Sequence, residues 1–95
     1  MIKGFRHKGL AAFHRGGTAK GVSAFRGNQL VKLAAMLDRL DIAVKPEDMN
    51  LAGWRFHALS GNRAGSYAVS ISGNWRLTFR FDGEDADDID LEDYH

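Results

Sequence analysis

Ninety-five residues, 44% of them hydrophobic, suffice for one buried core and are too few for two, so a single domain spanning 1–95 is expected; the absence of cysteine excludes a disulfide framework and a thiolate metal site. The net charge of +1 hides a division: all 13 Lys and Arg lie in residues 3 to 80, where four acids leave +9, and residues 82 to 95 hold eight acids with neither Lys nor Arg. A basic body attracts phosphate backbones through counterion release, which ranks nucleic acid above a membrane or a small metabolite, with an ordinary solvated surface as the plain alternative.

The chain opens with apolar residues interrupted by Lys3, Arg6, His7 and Lys8, and no run approaches about 18 apolar residues, so neither a signal peptide nor a membrane span is expected and the chain reads as soluble and cytoplasmic. Residues 2 to 7 can form a short opening strand anchored by Phe5. Residues 8 to 14 change period, placing Leu10 and Phe13 three apart as in a helix that Gly16-Gly17 ends. The stretch from Gly16 to Gly21 looks like a phosphate loop, but it lacks the Gly-x-x-x-x-Gly-Lys-Ser/Thr order and no strand leads into it, so a connector is the better reading.

Residues 23 to 43 read as the main helix, with Leu30, Leu33, Ala34, Leu37 and Leu40 on one stripe and Asn28, Lys32 and Arg39 outside it. The helix should end before Pro46, whose ring disfavours helical backbone at Lys45. Residues 46 to 53 form a connecting loop with Met49 and Leu51 tucked under the sheet edge.

Residues 54 to 81 organise the rest: three strands joined by two glycine-bearing turns, each alternating apolar and polar residues. In the third, Trp75, Leu77, Phe79 and Phe81 share one face and Arg76, Thr78 and Arg80 the other, because successive strand side chains point to opposite sides. Trp54 and Phe56 likewise oppose Arg55 and His57, and Tyr67, Val69 and Ile71 oppose Ala68, Ser70 and Ser72. The greasy side is the natural seat for the helix stripe. The other side, with Arg55, His57, Arg76, Arg80 and several hydroxyls, suits a polyanion. After a turn at Asp82-Gly83, residues 85 to 91 form a last strand with Ile89 and Leu91 inward. Its acids can hold the sheet's arginines in place, or can discourage strand-to-strand aggregation at an edge.

Four segments in order carry a resemblance: Ile-Lys-Gly-Phe-Arg-His-Lys-Gly-Leu at 2 to 10, Pro-Glu-Asp-Met-Asn at 46 to 50, Gly-Asn-Trp-Arg-Leu-Thr-Phe at 73 to 79 and the closing Glu-Asp-Tyr-His at 92 to 95. Together they resemble the HigB branch of the RelE/ParE superfamily, toxins of bacterial toxin–antitoxin pairs, over the whole chain. The resemblance implies an α+β fold of the RelE type, a mainly antiparallel sheet of four to five strands with two N-terminal helices on one face. It also implies cleavage of messenger RNA, typically on the ribosome, and a helix-turn-helix, HigA-like antitoxin as partner.

Cleavage of an RNA backbone without a metal needs a base for the 2′-hydroxyl, an acid for the leaving 5′-oxygen and positive charge on the developing phosphorane. By motif, the positions matching the family's active-site set are His57, Arg76, Tyr94 and His95. The two imidazoles can act as acid or base near neutral pH, Arg76 offers a planar fork of donors to phosphate oxygens, and Tyr94 can stack on a base or bond the sugar. Arg55, Arg63 and Arg80 are the expected RNA-binding residues. Where members often show His-Pro-Leu-Lys-Gly, this chain has His57-Ala58-Leu59-Ser60-Gly61, so Ser60 replaces an active-site lysine, and Arg63 or Arg80 is the candidate substitute. His7 and His14 fall outside the set, and four histidines without ligand spacing make no zinc site; no cofactor is expected. Two alternatives share the fold: a ParE-like inhibitor of DNA gyrase, and an RNA-binding homologue weakened by the change at residue 60.

Overall fold

A computed structural model describes residues 1–93. Helix α1 (Lys8–Gly16) and helix α2 (Asn28–Ile42) precede strands β1 (His57–Ala58), β2 (Ser66–Ser72), β3 (Trp75–Asp82) and β4 (Asp85–Asp93), with 3-10 turns at Lys20–Val22, Pro46–Met49 and Gly61–Arg63. The strands form one antiparallel sheet in the order β1-β2-β3-β4. This is the expected α+β architecture.

Helix α1 starts where His7 Nδ1 accepts the Leu10 N–H at 3.1 Å, taking up one of the donors a helix leaves open at its first turn. It ends two residues later than predicted, where Gly17 at φ 74° donates its N–H to Phe13 O at 3.0 Å. The following turn then crosses α1 at backbone contact. A Cβ on Gly9 would sit 2.4 Å from Gly21 O, and one on Gly21 2.4 Å from Gly9 Cα. Gly21, the last residue of the apparent phosphate loop, is thus a packing residue.

Helix α2 begins at Asn28, five residues after the predicted start, because Gly27 at φ 56° breaks the helical path. The chain before it turns inward and buries Val22 and Phe25. Leu33, Met36, Leu37 and Leu40 are wholly buried, so Met36 joins the predicted stripe, whereas Leu30 and Ala34 lie at its margin. Past Ile42 the Asp48 carboxylate accepts the N–H groups of Val44 (2.9 Å) and Lys45 (3.3 Å). The Val44 bond, the larger cause, holds the Asp48 carboxyl below its ordinary value. As predicted, Met49 is buried and Leu51 half-buried.

Register decides which side chains share a face. Val69, Leu77 and Leu91 align across β2, β3 and β4, as do Ser70, Arg76 and Glu92 one row away, and His57, Ala68, Thr78 and Asp90 across all four strands. Val69, Ile71, Leu77, Phe79, Ala86 and Ile89 form the core side against α2, each large member contributing roughly 1.5 to 3 kcal/mol before entropy is subtracted. Trp75 is half-buried at the border, edge-on to Phe25 with centroids 5.3 Å apart. No helix among the described residues is long and apolar enough to cross a membrane.

Two strand expectations are corrected. The first strand was expected to carry Trp54, Arg55, Phe56 and His57 in alternation, but only His57–Ala58 pairs with β2. Arg55 at φ 53° interrupts the extended path, leaving Trp54 joined to β2 through a bond from Ser70 N to Trp54 O at 2.7 Å. Residues 2 to 7 flank β4 by two isolated parallel bridges, Ile2 to Ala86 and Phe5 to Ile89, in place of a continuous strand. A bulge lies between those bridges, where β4 shifts register against β3 and Asp88 adopts φ 51°, so the ladder cannot run through.

Candidate active site

The side of the sheet away from α2 is a polar cleft, not a flat basic plate. Glu92 on β4 sits at its centre. Its Oε1 accepts Arg76 Nη2 at 3.0 Å and Arg63 Nη1 at 3.2 Å, while Oε2 accepts Arg63 Nη2 and, at 3.3 Å, the Thr78 hydroxyl. Arg76 and Thr78 come from β3, Arg63 from the turn after Ser60, and register places Glu92 directly opposite Arg76. One carboxylate therefore gathers two guanidinium groups from elements that are far apart in sequence. The hydrogen bond from Arg63, aided by Arg76, holds the Glu92 carboxyl below its ordinary value against the opposing pull of burial. The same pairing pushes the Arg63 guanidinium up. Of the three charged groups, Arg76 is the most sheltered, its side chain 15% exposed against 42% for Arg63.

From this cluster the cleft opens along β3 toward Arg80, whose Nη1 donates to Ser66 Oγ at 3.1 Å. Its volume is about 250 Å³, and Arg6, Asn62, Asp88 and Asp90 complete the walls. Apart from Phe79 the walls are charged or polar residues, so the cleft offers hydrogen bonds and charge and little apolar surface.

Of the residues singled out in the sequence, Arg63, Arg76 and Arg80 come together here. Arg63 lies beside Arg76 on Glu92, and Ser60 O accepts the Arg63 N–H at 3.1 Å, closing the turn that aims Arg63 at Glu92. His57 lies in the next row on the same face, two strands from Thr78 and exposed, with Nδ1 2.9 Å from Arg55 O; it does not touch the Glu92 cluster. Arg55 stands outside the cleft, at the left-handed residue before β1. Tyr94 and His95 lie outside the described residues. The two histidines set aside have other contacts, His7 capping α1 and His14 lying 4.0 Å from Asp38.

Sequence reading missed Glu92 as the hub, and Arg6 and Asn62 as walls. A signal for Glu92 was present: Asp88, Asp90 and Glu92 alternate with Ile89 and Leu91, so any register that buries the two apolar residues turns the acids to the arginine face. Of the two roles weighed for the acidic segment, Glu92 fulfils the first, holding arginines in place. Arg6 carried no comparable signal, since its position depends on the parallel flank of β4.

A cleft built on paired arginines suits a phosphodiester, and comparison with known proteins agrees. Residues 3–95 match the family described as the RelE-like toxin of type II toxin-antitoxin system HigB. The chain is also 35% identical over 95 residues, covering all of both chains, to the Endoribonuclease HigB of Proteus vulgaris. With a full-length match on top of the expected α+β architecture, the chain belongs to the HigB family of RelE-like toxins of type II toxin–antitoxin systems.

Proposed function

We propose that this toxin is an endoribonuclease that cuts messenger RNA on the ribosome, in the cytoplasm, without a metal. The observation that carries the reading is the Arg63–Arg76 pair, two guanidinium forks converging on one carboxylate, an anion that such forks bind as they bind a phosphate. In the reaction the 2′-oxygen bonds to phosphorus and the bond from phosphorus to the 5′-oxygen breaks, leaving a 2′,3′-cyclic phosphate and a 5′-hydroxyl. Arg76 neutralises the charge that builds on the phosphorane oxygens, where a sheltered donor is worth most. His57 and His95 exchange the two protons, one accepting from the 2′-hydroxyl and the other donating to the 5′-oxygen. Tyr94 stacks on a base or holds the sugar, Arg63 stands in for the missing lysine, and Arg55 and Arg80 bind flanking phosphates.

Type II membership implies an antitoxin partner, and a HigA-like helix-turn-helix protein is the proposed one. The name of the Proteus vulgaris relative favours RNA cleavage over gyrase inhibition, and Arg63 beside Arg76 argues against a toxin disabled by Ser60. Primer extension on cellular messages after brief induction tests the reading: new internal 5′ ends are expected, and Arg76→Ala should reduce them by about 10²-fold or more. DNA breaks with intact messages would overturn it.

A further inference from the structure

The site already holds an anion. Glu92 takes up both guanidinium forks and the Thr78 hydroxyl, leaving its two oxygens where the non-bridging oxygens of a phosphodiester would satisfy the same donors. We infer that Glu92 is a built-in occupant of the phosphate site, which keeps Arg63 and Arg76 aligned in the empty toxin and which the RNA backbone must displace to bind. The inference deepens the RNA-cleaving reading and rests on it.

Geometry separates this role from a plain structural ion pair. Glu92 is not enclosed: its side chain is 23% exposed, and it borders the open cleft that would receive the strand. Its partners come from the turn after β1 and from β3, so swinging the carboxylate away leaves each arginine anchored on its own element. A carboxylate held by charge-assisted bonds competes directly with a phosphate for the same forks. A carboxylate bound to two arginines is also a poor proton acceptor, so Glu92 is a positioning residue and the proton transfers stay with the imidazoles. The cost to the toxin is affinity. Bare RNA binds weakly, and only a strand presented in register, with neighbouring phosphates on Arg80 and the rest of the basic body, displaces the occupant.

The test is binding of a fluorescent, uncleavable 2′-O-methyl RNA oligonucleotide, followed by anisotropy, beside cleavage of a ribosome-bound message. Glu92→Gln keeps the shape and removes the charge; it should bind the probe about tenfold more tightly and lower KM for the ribosome-bound message. Glu84→Gln, at the exposed tip of the β3–β4 turn, removes the same charge from the same acidic segment and should shift affinity by less than about twofold. Glu92→Asp, one methylene short of spanning both forks, should fall between wild type and Glu92→Gln, and it carries the test if the glutamine variant does not fold. Probe binding by Glu92→Gln that is equal to or weaker than wild type overturns the inference, as does an equal gain in Glu84→Gln. If the wild type binds the probe yet cuts no message, the RNA-cleaving reading fails while the displacement result stands on its own.

Discussion

Along β3, Leu77 and Phe79 are buried among Val69, Ile71, Ile89 and the leucines of α2, while Thr78 and Arg80 line the cleft and Arg76 bonds Glu92 at its end. The core side is held by apolar burial, which has no direction and tolerates whichever neighbours fill the volume. The cleft side is held by directed bonds: Arg76 and Thr78 to Glu92, Arg80 to Ser66. The first can be inferred from alternation within a single strand. The second depends on which residues of other elements arrive opposite, and that is a property of register and turns. Stability should therefore reside on one face of this strand and chemistry on the other.

Substituting neighbouring residues of β3 is the strongest challenge to that division. Phe79→Ala, which empties a fully buried site, should cost about 3 to 5 kcal/mol, whereas Arg80→Ala, with its side chain on the cleft and one neutral hydroxyl partner, should cost about 1 kcal/mol or less. Chemical denaturation of the two variants is the measurement. Equal losses would show that the cleft side is as much a structural element as the core.

Next in size is Gly21→Ala, which probes whether the core side tolerates extra volume where backbones touch. A Cβ there meets Gly9 Cα at 2.4 Å, and backbone cannot rotate out of the way as a side chain can. The added methyl should destabilise by about 1 to 3 kcal/mol through displacement of the turn from α1. An unchanged melting curve would mean that the crossing opens at little cost.

What the sequence made legible follows the same line. The core residues of β2 and β3, the α2 stripe and the loop anchors Met49 and Leu51 follow from period and composition, because each pattern is written within one short segment. The element ends went astray where backbone conformation decided them. Gly27 at φ 56° shortened α2, and Arg55 at φ 53° cut the first strand to two residues, which no alternation rule foresees for an arginine. In the cleft, the arginines on β3 were visible and Arg63 was a candidate, but the convergence of Arg63 and Arg76 on Glu92 requires the β3–β4 register, including its bulge.

Acid should expose the directed bonding of the cleft face. Glu92 has a folded-state value lowered by Arg63 and Arg76 from an ordinary 4.5, so its stabilisation is fully present above that ordinary value. It is lost as pH falls through the ordinary range and then through the lower folded value. Glu92→Gln should therefore melt below the wild type at pH 7, and the gap should close toward pH 3, measured by thermal denaturation at both. Other lowered carboxylates, Asp48 and Asp82, leave an acid limb in both proteins, which is why the difference between them is the quantity to follow. A gap that persists undiminished at low pH would assign the loss to packing of the glutamine.

The smallest effect concerns Arg55, where backbone strain and charge can be separated in one variant. Left-handed backbone costs a non-glycine residue about 1 to 2 kcal/mol, and glycine returns roughly 0.5 to 1 kcal/mol of that through its freer unfolded chain. Arg55→Gly should thus leave stability unchanged or raise it by under about 1 kcal/mol, a shift of at most several degrees in Tm for a chain of this length. If Arg55 contacts an RNA phosphate at the edge of the site, the same variant should lower the slope of log binding constant against log salt by about 0.7, the value for one single-strand contact. Calorimetric melting and a salt series of probe binding read the two effects independently. A lower Tm would mean that the Arg55 side chain packs on its neighbours, and an unchanged salt slope would confine the phosphate contacts to Arg63, Arg76 and Arg80 within the cleft.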